Sequence, residues 1–355
     1  MIDQLRKIAE SIDQLLAEDE FPFSIRPDYL AEAVHAYPVR GGKRLRPALL
    51  IWSCGLLGGD EAKALYPAAA VEVYHNWTLV HDDIIDRDDT RRGMPTAHVQ
   101  LATELQKRFQ LSPEQAARAG EDFAILAGDL QQGWANDLLL RSTEHGVPAE
   151  VAVALSRNLQ KLANRELISG EALDVEFSLR ELAELHPDSL RRMLSGKTSA
   201  LLEFCTESGG MLALEECNPA REEIVRLGEF AHAAGIAFQL RDDYLGIFGD
   251  FQSLGKPLGN DLREGKATIL LLETMRMANS ADREELQSLI GLPEYSTETL
   301  NRVRRIMRDS GAAAATTAEA AQLAEQARNI LRGFPDNACR QNMLDLINFL
   351  INRER

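Results

Sequence analysis

Asp82, Asp83, Asp86, Asp88 and Asp89 crowd into eight residues, and Arg91 and Arg92 follow at once. On a helix, Asp82 and Asp86 stand at i and i+4, so their side chains share one face about 5–6 Å apart. Asp89 comes three residues further along. Like charges at that spacing repel, and anions near a helix C-terminus oppose the macrodipole. A hard divalent cation would compensate. Mg²⁺ in particular keeps several waters and binds through one or two carboxylates plus substrate phosphates. Carboxylates for metal beside guanidiniums for phosphate make a candidate diphosphate site. The plain alternative is a solvated acidic helix end. Against it, the cluster grows out of an apolar helix carrying Ala70, Val73, Tyr74, Trp77 and Val80 at helical spacing.

Four further stretches carry charge in a pattern that could serve the same chemistry. Gly41-Gly-Lys-Arg-Leu-Arg-Pro47 offers a tight turn whose amides can face an anion, with Lys43, Arg44 and Arg46 as cations and Lys43 and Arg46 three apart on one helical face. His75 lies two turns before Asp82 on the same face, although a lone histidine there is more often a core group. Gly196-Lys-Thr-Ser199 resembles the tail of a P-loop but lacks the earlier glycine and the preceding strand. Lys197 on a buried side still needs an anion. Asp129, Glu171 and Asp174, also on apolar helices, read as structural carboxylates. Phe238-Gln-Leu-Arg-Asp-Asp-Tyr-Leu-Gly246 ends a second apolar helix in an acidic pair, Asp242-Asp243, and a glycine-rich loop with Lys256 and Lys266 follows. A cationic loop after such a helix end reads as a lid over phosphates.

These residues must be positioned by helices, because strand alternation persists nowhere while Ala, Leu, Glu and Arg recur at helical spacing. Helices are expected at 2–18, 27–36, 43–57, 67–89, 113–143, 148–178, 187–212, 219–248, 265–279, 281–290, 296–310, 314–333 and 338–353. Ser112-Pro-Glu-Gln115 is a capping box with proline in the first turn. No low-complexity linker interrupts the chain, so one all-α domain over 1–355 is expected. The net charge of −16 and pI near 5.0 argue against nucleic-acid binding. The four cysteines form no metal-ligand spacing and suit a reducing, cytoplasmic setting. The N-terminus does not read as a signal or transit peptide, and no apolar run is long enough for a membrane anchor.

Together and in this order, the motifs resemble the trans-isoprenyl diphosphate synthases, the polyprenyl synthetase family. The resemblance runs from Gly41 to Thr268 and rests on Gly41-Gly-Lys-Arg-Leu-Arg-Pro, Asp82-Asp-Ile-Ile-Asp with Arg91-Arg92, Lys197-Thr198, Phe238-Gln-x-x-Asp-Asp and the Gly255-Lys loop. It implies an isoprenoid synthase-type bundle of long helices around a central cavity, usually a homodimer. It implies that Asp82 and Asp86 hold two Mg²⁺ ions and Asp242 a third, with Asp83 and Asp243 in support. Arg91, Lys197 and Lys256 would contact the allylic diphosphate, with Lys266 nearby. Lys43, Arg46, His75 and Arg92 would bind isopentenyl diphosphate. Thr198 and Gln239 would turn their dipoles toward an allylic cation.

The implied reaction explains why no activated nucleophile or His–carboxylate dyad stands out. Metal and cations stabilise the leaving pyrophosphate, the isopentenyl double bond attacks the allylic cation, and pyrophosphate takes the proton. Two departures stand out. Gly246 replaces a third aspartate of the second motif, and Val99 to Ser112 is a long spacer without an assigned role. Product length would be set below the first motif, where Trp77 and Tyr74 are candidates for a cavity floor. Geranylgeranyl diphosphate is the expected product, with farnesyl diphosphate next. The rival readings are a non-catalytic partner subunit of a heteromeric prenyltransferase and a terpene cyclase. The partner subunit would lack the aspartates or arginines kept here, and the cyclase would have no use for Gly41 to Pro47.

Overall fold

The computed structural model describes residues 1–91, 93–249 and 258–351. Among them the fold is all-α, with one two-stranded hairpin, Thr90–Arg91 against Met94–Pro95. The residues form two compact units, Met1–Ser156 with Ser208–Pro219, and Arg157–Glu207 with Ala220–Arg355.

The first unit contains α1 (Ile2–Glu18), α2 (Asp28–Val39), α3 (Leu45–Leu56), α4 (Leu65–Ile85), α5 (Ala97–Phe109) and α6 (Pro113–Arg141). Helix α4 is buried around most of its circumference, from Pro67 through Tyr74 to Trp77 and Val80. Helix α6 packs on it through small residues, Ala124, Ala127 and Gly128. At Gly128 a Cβ would stand 2.2 Å from His81 Nε2, so only glycine lets the imidazole lie against α6. Gly128 is thus a packing requirement, whereas Asp129, expected to be a structural carboxylate, is exposed. The Ser112 capping box forms as expected, with Gln115 N–H donating to Ser112 Oγ at 3.3 Å and Ser112 N–H to Gln115 Oε1 at 3.0 Å.

The stretch read as a spacer is helix α5. Only Ala97, Leu101 and Leu105 are buried along it, one residue per turn. So short a stripe is marginal in isolation and depends on packing against α6.

The long helices expected at 148–178 and 187–212 are each interrupted. Helices α7 (Ala149–Asn158) and α8 (Arg165–Ser178) are joined by wide π-type turns at Leu159–Asn164. The same happens at Ser195–Ser199 between α9 (Pro187–Leu194) and α10 (Ala200–Leu214). The unit boundaries fall within α7 and α10. The second unit continues with α11 (Glu222–Phe248), α12 (Asn260–Arg263), α13 (Ile269–Met277), α14 (Ser280–Leu289), α15 (Thr297–Asp309), α16 (Ala312–Arg332) and α17 (Ala338–Ile351). One of its apolar clusters joins Leu240 of α11 to Leu190 and Met193 of α9 and Ile269 of α13. Another joins Ile247 to Leu271, Leu286 and Ile306. No helix among the described residues is long and apolar enough to cross a membrane.

Candidate active site

The first acidic motif closes α4 differently from the uniform helix expected to residue 89. The helix ends at Ile85, and Asp86 is its C-cap, its N–H bonded to Asp82 O at 2.8 Å. Arg87 then turns left-handed at φ +58. Its N–H reaches Ile84 O and the Asp88 N–H reaches Asp83 O at 2.9 Å, a Schellman closure made without glycine. Asp82 and Asp86 therefore share one half-buried face, whereas Asp88 and Asp89 leave the helical register.

The hairpin that follows brings Arg91 back onto the helix end. Arg91 Nε and Nη2 approach Asp83 Oδ1 at 2.6 and 2.5 Å. The Tyr37 hydroxyl donates to Asp83 Oδ2 at 2.5 Å and accepts the Ala97 N–H at 3.0 Å. Asp83 is fully buried. Burial works against the charge on Arg91, but the hydrogen bond and the charge of Asp83 outweigh it and raise the guanidinium pKa. Burial and then Asp83 raise the Tyr37 phenol, so it stays a donor. Asp83 thus orients Arg91 and is turned away from the exposed face of the motif. Tyr37 is a neighbour of the motif that the sequence did not point to; it lies 46 residues upstream and no local pattern links it to Asp83.

The basic turn divides its labour. Lys43 is exposed in a non-helical turn and Arg46 is half-buried in the first turn of α3, so the expected common helical face does not form. The reason is Arg44, which is left-handed at φ +48 and points inward. Its guanidinium is fully buried against Asp13 (2.6 Å) and Glu72 (2.5 Å), so it is structural and supplies no charge to a ligand. His75, Tyr74 and Trp77 lie on α4. The Tyr74 and Trp77 rings meet edge to face at 4.8 Å, and Trp77 meets His81 at 5.7 Å.

In the second unit, Lys197 sits in the wide turn at Ser195–Ser199. Its ammonium lies 2.8 Å from Glu171 Oε2 and 2.6 Å from Asp174 Oδ2. These two acids are the anions that a half-buried lysine requires. The approach is possible because Gly170 and Gly196 face each other; a Cβ on Gly170 would stand 2.2 Å from Lys197 N. The Thr198 hydroxyl donates to Gln239 Oε1 at 3.4 Å, and Gln239 Nε2 donates to Asp243 Oδ1 at 2.9 Å. The Gln239 and Thr198 dipoles are thereby fixed. Burial, with Asp261 adding to it, pushes Asp243 up to about 8 against the opposing Gln239 hydrogen bond. Asp242 beside it is half-buried and more accessible. Gly246 lies near Asp261, whose Oδ2 would be 3.6 Å from a Cβ there, ordinary contact that leaves room for a side chain. Lys266 is 3.4 Å from Glu264. Arg92 and Lys256 lie outside the described residues.

The donor set suits Mg²⁺: Asp82 and Asp86 are paired, half-buried carboxylates. Among the described residues no three His, Cys, Asp or Glu side chains gather into a cage. Mg²⁺ usually completes its shell with water and substrate phosphate.

The sequence profile of the polyprenyl synthetase family matches residues 27–307. The chain is 37% identical over 332 residues to geranylfarnesyl diphosphate synthase of Aeropyrum pernix, covering 93% of this chain and 94% of that one. It is 38% identical over 281 residues to geranylgeranyl diphosphate synthase of Saccharolobus solfataricus, covering 79% and 76%. Among solved structures, geranylgeranyl pyrophosphate synthetase from Pyrococcus horikoshii matches with a TM-score of 0.84 at 31% identity, over 99% of this chain and 98% of that one. The Corynebacterium glutamicum geranylgeranyl pyrophosphate synthase, solved with isoprenyl diphosphate and magnesium, matches with a TM-score of 0.85 at 27% identity, over 99% of both chains. By its family match, its relatives and its all-α fold, the chain belongs to the polyprenyl synthetase family and is a prenyltransferase.

Proposed function

We propose that this enzyme condenses isopentenyl diphosphate head to tail with dimethylallyl, geranyl or farnesyl diphosphate in a Mg²⁺-dependent reaction, and that its product is geranylgeranyl diphosphate. The observation that carries the reading is the end of α4, where Asp82 and Asp86 share a half-buried face and Arg91 is folded back beside them by Asp83. Asp82, Asp86 and Asp242 would hold the metal ions, about three per site, as the family resemblance implies. Bound there, Mg²⁺ supplies Lewis-acid stabilisation of the departing pyrophosphate.

The chain's own residues do the rest. Arg91 and Lys197, each held by carboxylates, would serve as cations toward the diphosphate, as the family resemblance implies. Lys43, Arg46 and His75 would take the isopentenyl diphosphate. Thr198 and Gln239, joined by a hydrogen bond, would turn their dipoles toward the allylic carbon as it becomes positive, as the family resemblance implies. No side chain is assigned the final proton, which goes to pyrophosphate.

Relatives named for geranylgeranyl and geranylfarnesyl products support a short chain. The Trp77 and Tyr74 rings, both buried on α4 before Asp82, are the proposed floor. Replacing Trp77 by Ala is expected to lengthen the product by at least one isoprene unit; an unchanged product spectrum would remove Trp77 from that role.

A homodimer is part of the same reading. Ile168 and Val175 on α8 and Leu179 at its C-cap are exposed apolar residues, and Ile125, Leu126 and Leu140 are exposed on α6. Placing a charge on α8, Val175→Asp, is expected to convert a dimer to a monomer in light scattering. A wild type that is already monomeric would refute the assembly.

The deciding experiment is a mass spectrum of products from purified protein with Mg²⁺, isopentenyl diphosphate and each allylic starter in turn. A single elongated diphosphate supports the reading. No elongation by the pure chain, with activity restored by a second subunit, would establish the partner-subunit alternative.

A further inference from the structure

We infer that Tyr37 is a positioning residue for the allylic diphosphate, acting through Asp83 on Arg91, and that α5 exists in part to hold it there. The inference rests on the proposed role of Arg91 as a diphosphate ligand. Asp83 presents two carboxylate oxygens in a fully buried setting. Oδ1 receives the Nε–Nη2 edge of Arg91, and Oδ2 receives the Tyr37 hydroxyl. A carboxylate bound on one oxygen alone could pivot about its Cβ–Cγ bond and carry the guanidinium with it. The second hydrogen bond removes that rotation.

The hydroxyl is fixed in turn. It accepts the N–H of Ala97, the first residue of α5, so its proton is directed to Asp83. An amide in the first turn of a helix has no partner within that helix, which leaves it available for this use. The Tyr37 ring is 4% exposed, and Arg40 lies over its face at 4.8 Å. Nη2 of Arg91 also lies 3.9 Å from an Asp88 carboxylate oxygen. Three helices, α2, α4 and α5, and the hairpin strand bearing Arg91 meet at this one carboxylate. That gives the stretch after the first motif a purpose that its sequence does not suggest.

The test compares Tyr37→Phe, which deletes one oxygen, and Asp83→Asn with the wild type in steady-state condensation. A misplaced binding group can cost up to about 10²-fold in rate, so kcat/KM for the allylic substrate is expected to fall roughly 10- to 100-fold in each variant. KM for isopentenyl diphosphate is expected to stay unchanged. In an Arg91→Ala background, Tyr37→Phe is expected to add nothing to the allylic KM, because the residue it orients is gone. Equal loss for both substrates, or full additivity with Arg91→Ala, would reduce Tyr37 to a packing role and overturn the inference. A wild type that elongates nothing would overturn the functional reading and this inference with it. A wild type that is active alongside an indistinguishable Tyr37→Phe would overturn the inference alone.

Discussion

Asp82→Asn is expected to lower the rate of condensation by about 10²–10³-fold while leaving the protein at least as stable as the wild type. The size is that expected if, as proposed, Asp82 holds a Mg²⁺ ion that would stabilise the charge developing on the leaving group. The sign of the stability change follows from the helix end. The bond that closes the last turn runs from Asp86 N–H to the main-chain oxygen of residue 82, so an asparagine keeps it. The substitution also removes repulsion between carboxylates at i and i+4, worth a few tenths of a kcal/mol. Two measurements check this. One is the turnover at saturating Mg²⁺. The other is the melting-temperature gain on adding Mg²⁺ and pyrophosphate, which mass action gives the wild type and which the variant should lose. Turnover within a few-fold of wild type would exclude Asp82 from metal binding.

Arg44→Met is expected to cost about 3–5 kcal/mol of stability, the range for removing one partner of a buried ion pair. Arg44 is enclosed by Asp13, Glu72 and the carbonyl of Pro38. Asp13 is partly exposed and can turn to water, but the Glu72 side chain is 6% exposed, with Asn76 as a neighbouring donor at 3.4 Å among the described residues. The loss should therefore come mainly from the stranded glutamate. Arg44→Met combined with Glu72→Leu tests that: it should recover most of the stability, because apolar replacement of a whole buried pair is often neutral. Urea denaturation gives both values. A single variant within about 1 kcal/mol of wild type would show that the pair contributes little, as exposed pairs do.

Arg44 also marks where local reading stops. Gly41 to Pro47 presents three cations in four residues, and nothing in the spacing distinguishes the buried arginine from the exposed Lys43. The distinction comes from partners on α1 and α4. Lys197 is the opposite case. Its need for an anion was evident from a lysine on an apolar helix, but Glu171 and Asp174 on the same chain meet that need directly. The wide turn that aims it there is set by the Gly170–Gly196 contact between two segments, and no periodicity announces it.

The sequence by itself determined the helical class, the positions of most helices, the capping box at Ser112 and the aspartate and basic motifs whose order identifies the family. These are short-range properties: apolar spacing, breakers and the residue types that metal and diphosphate chemistry require. Only the tertiary structure decided that Arg91 doubles back onto Asp83, that Tyr37 and the first amide of α5 complete that contact, that α5 is a helix at all, and which arginine of the basic turn is buried. Each depends on groups tens of residues apart, whose pairing is fixed by desolvation and packing rather than by any pattern along the chain.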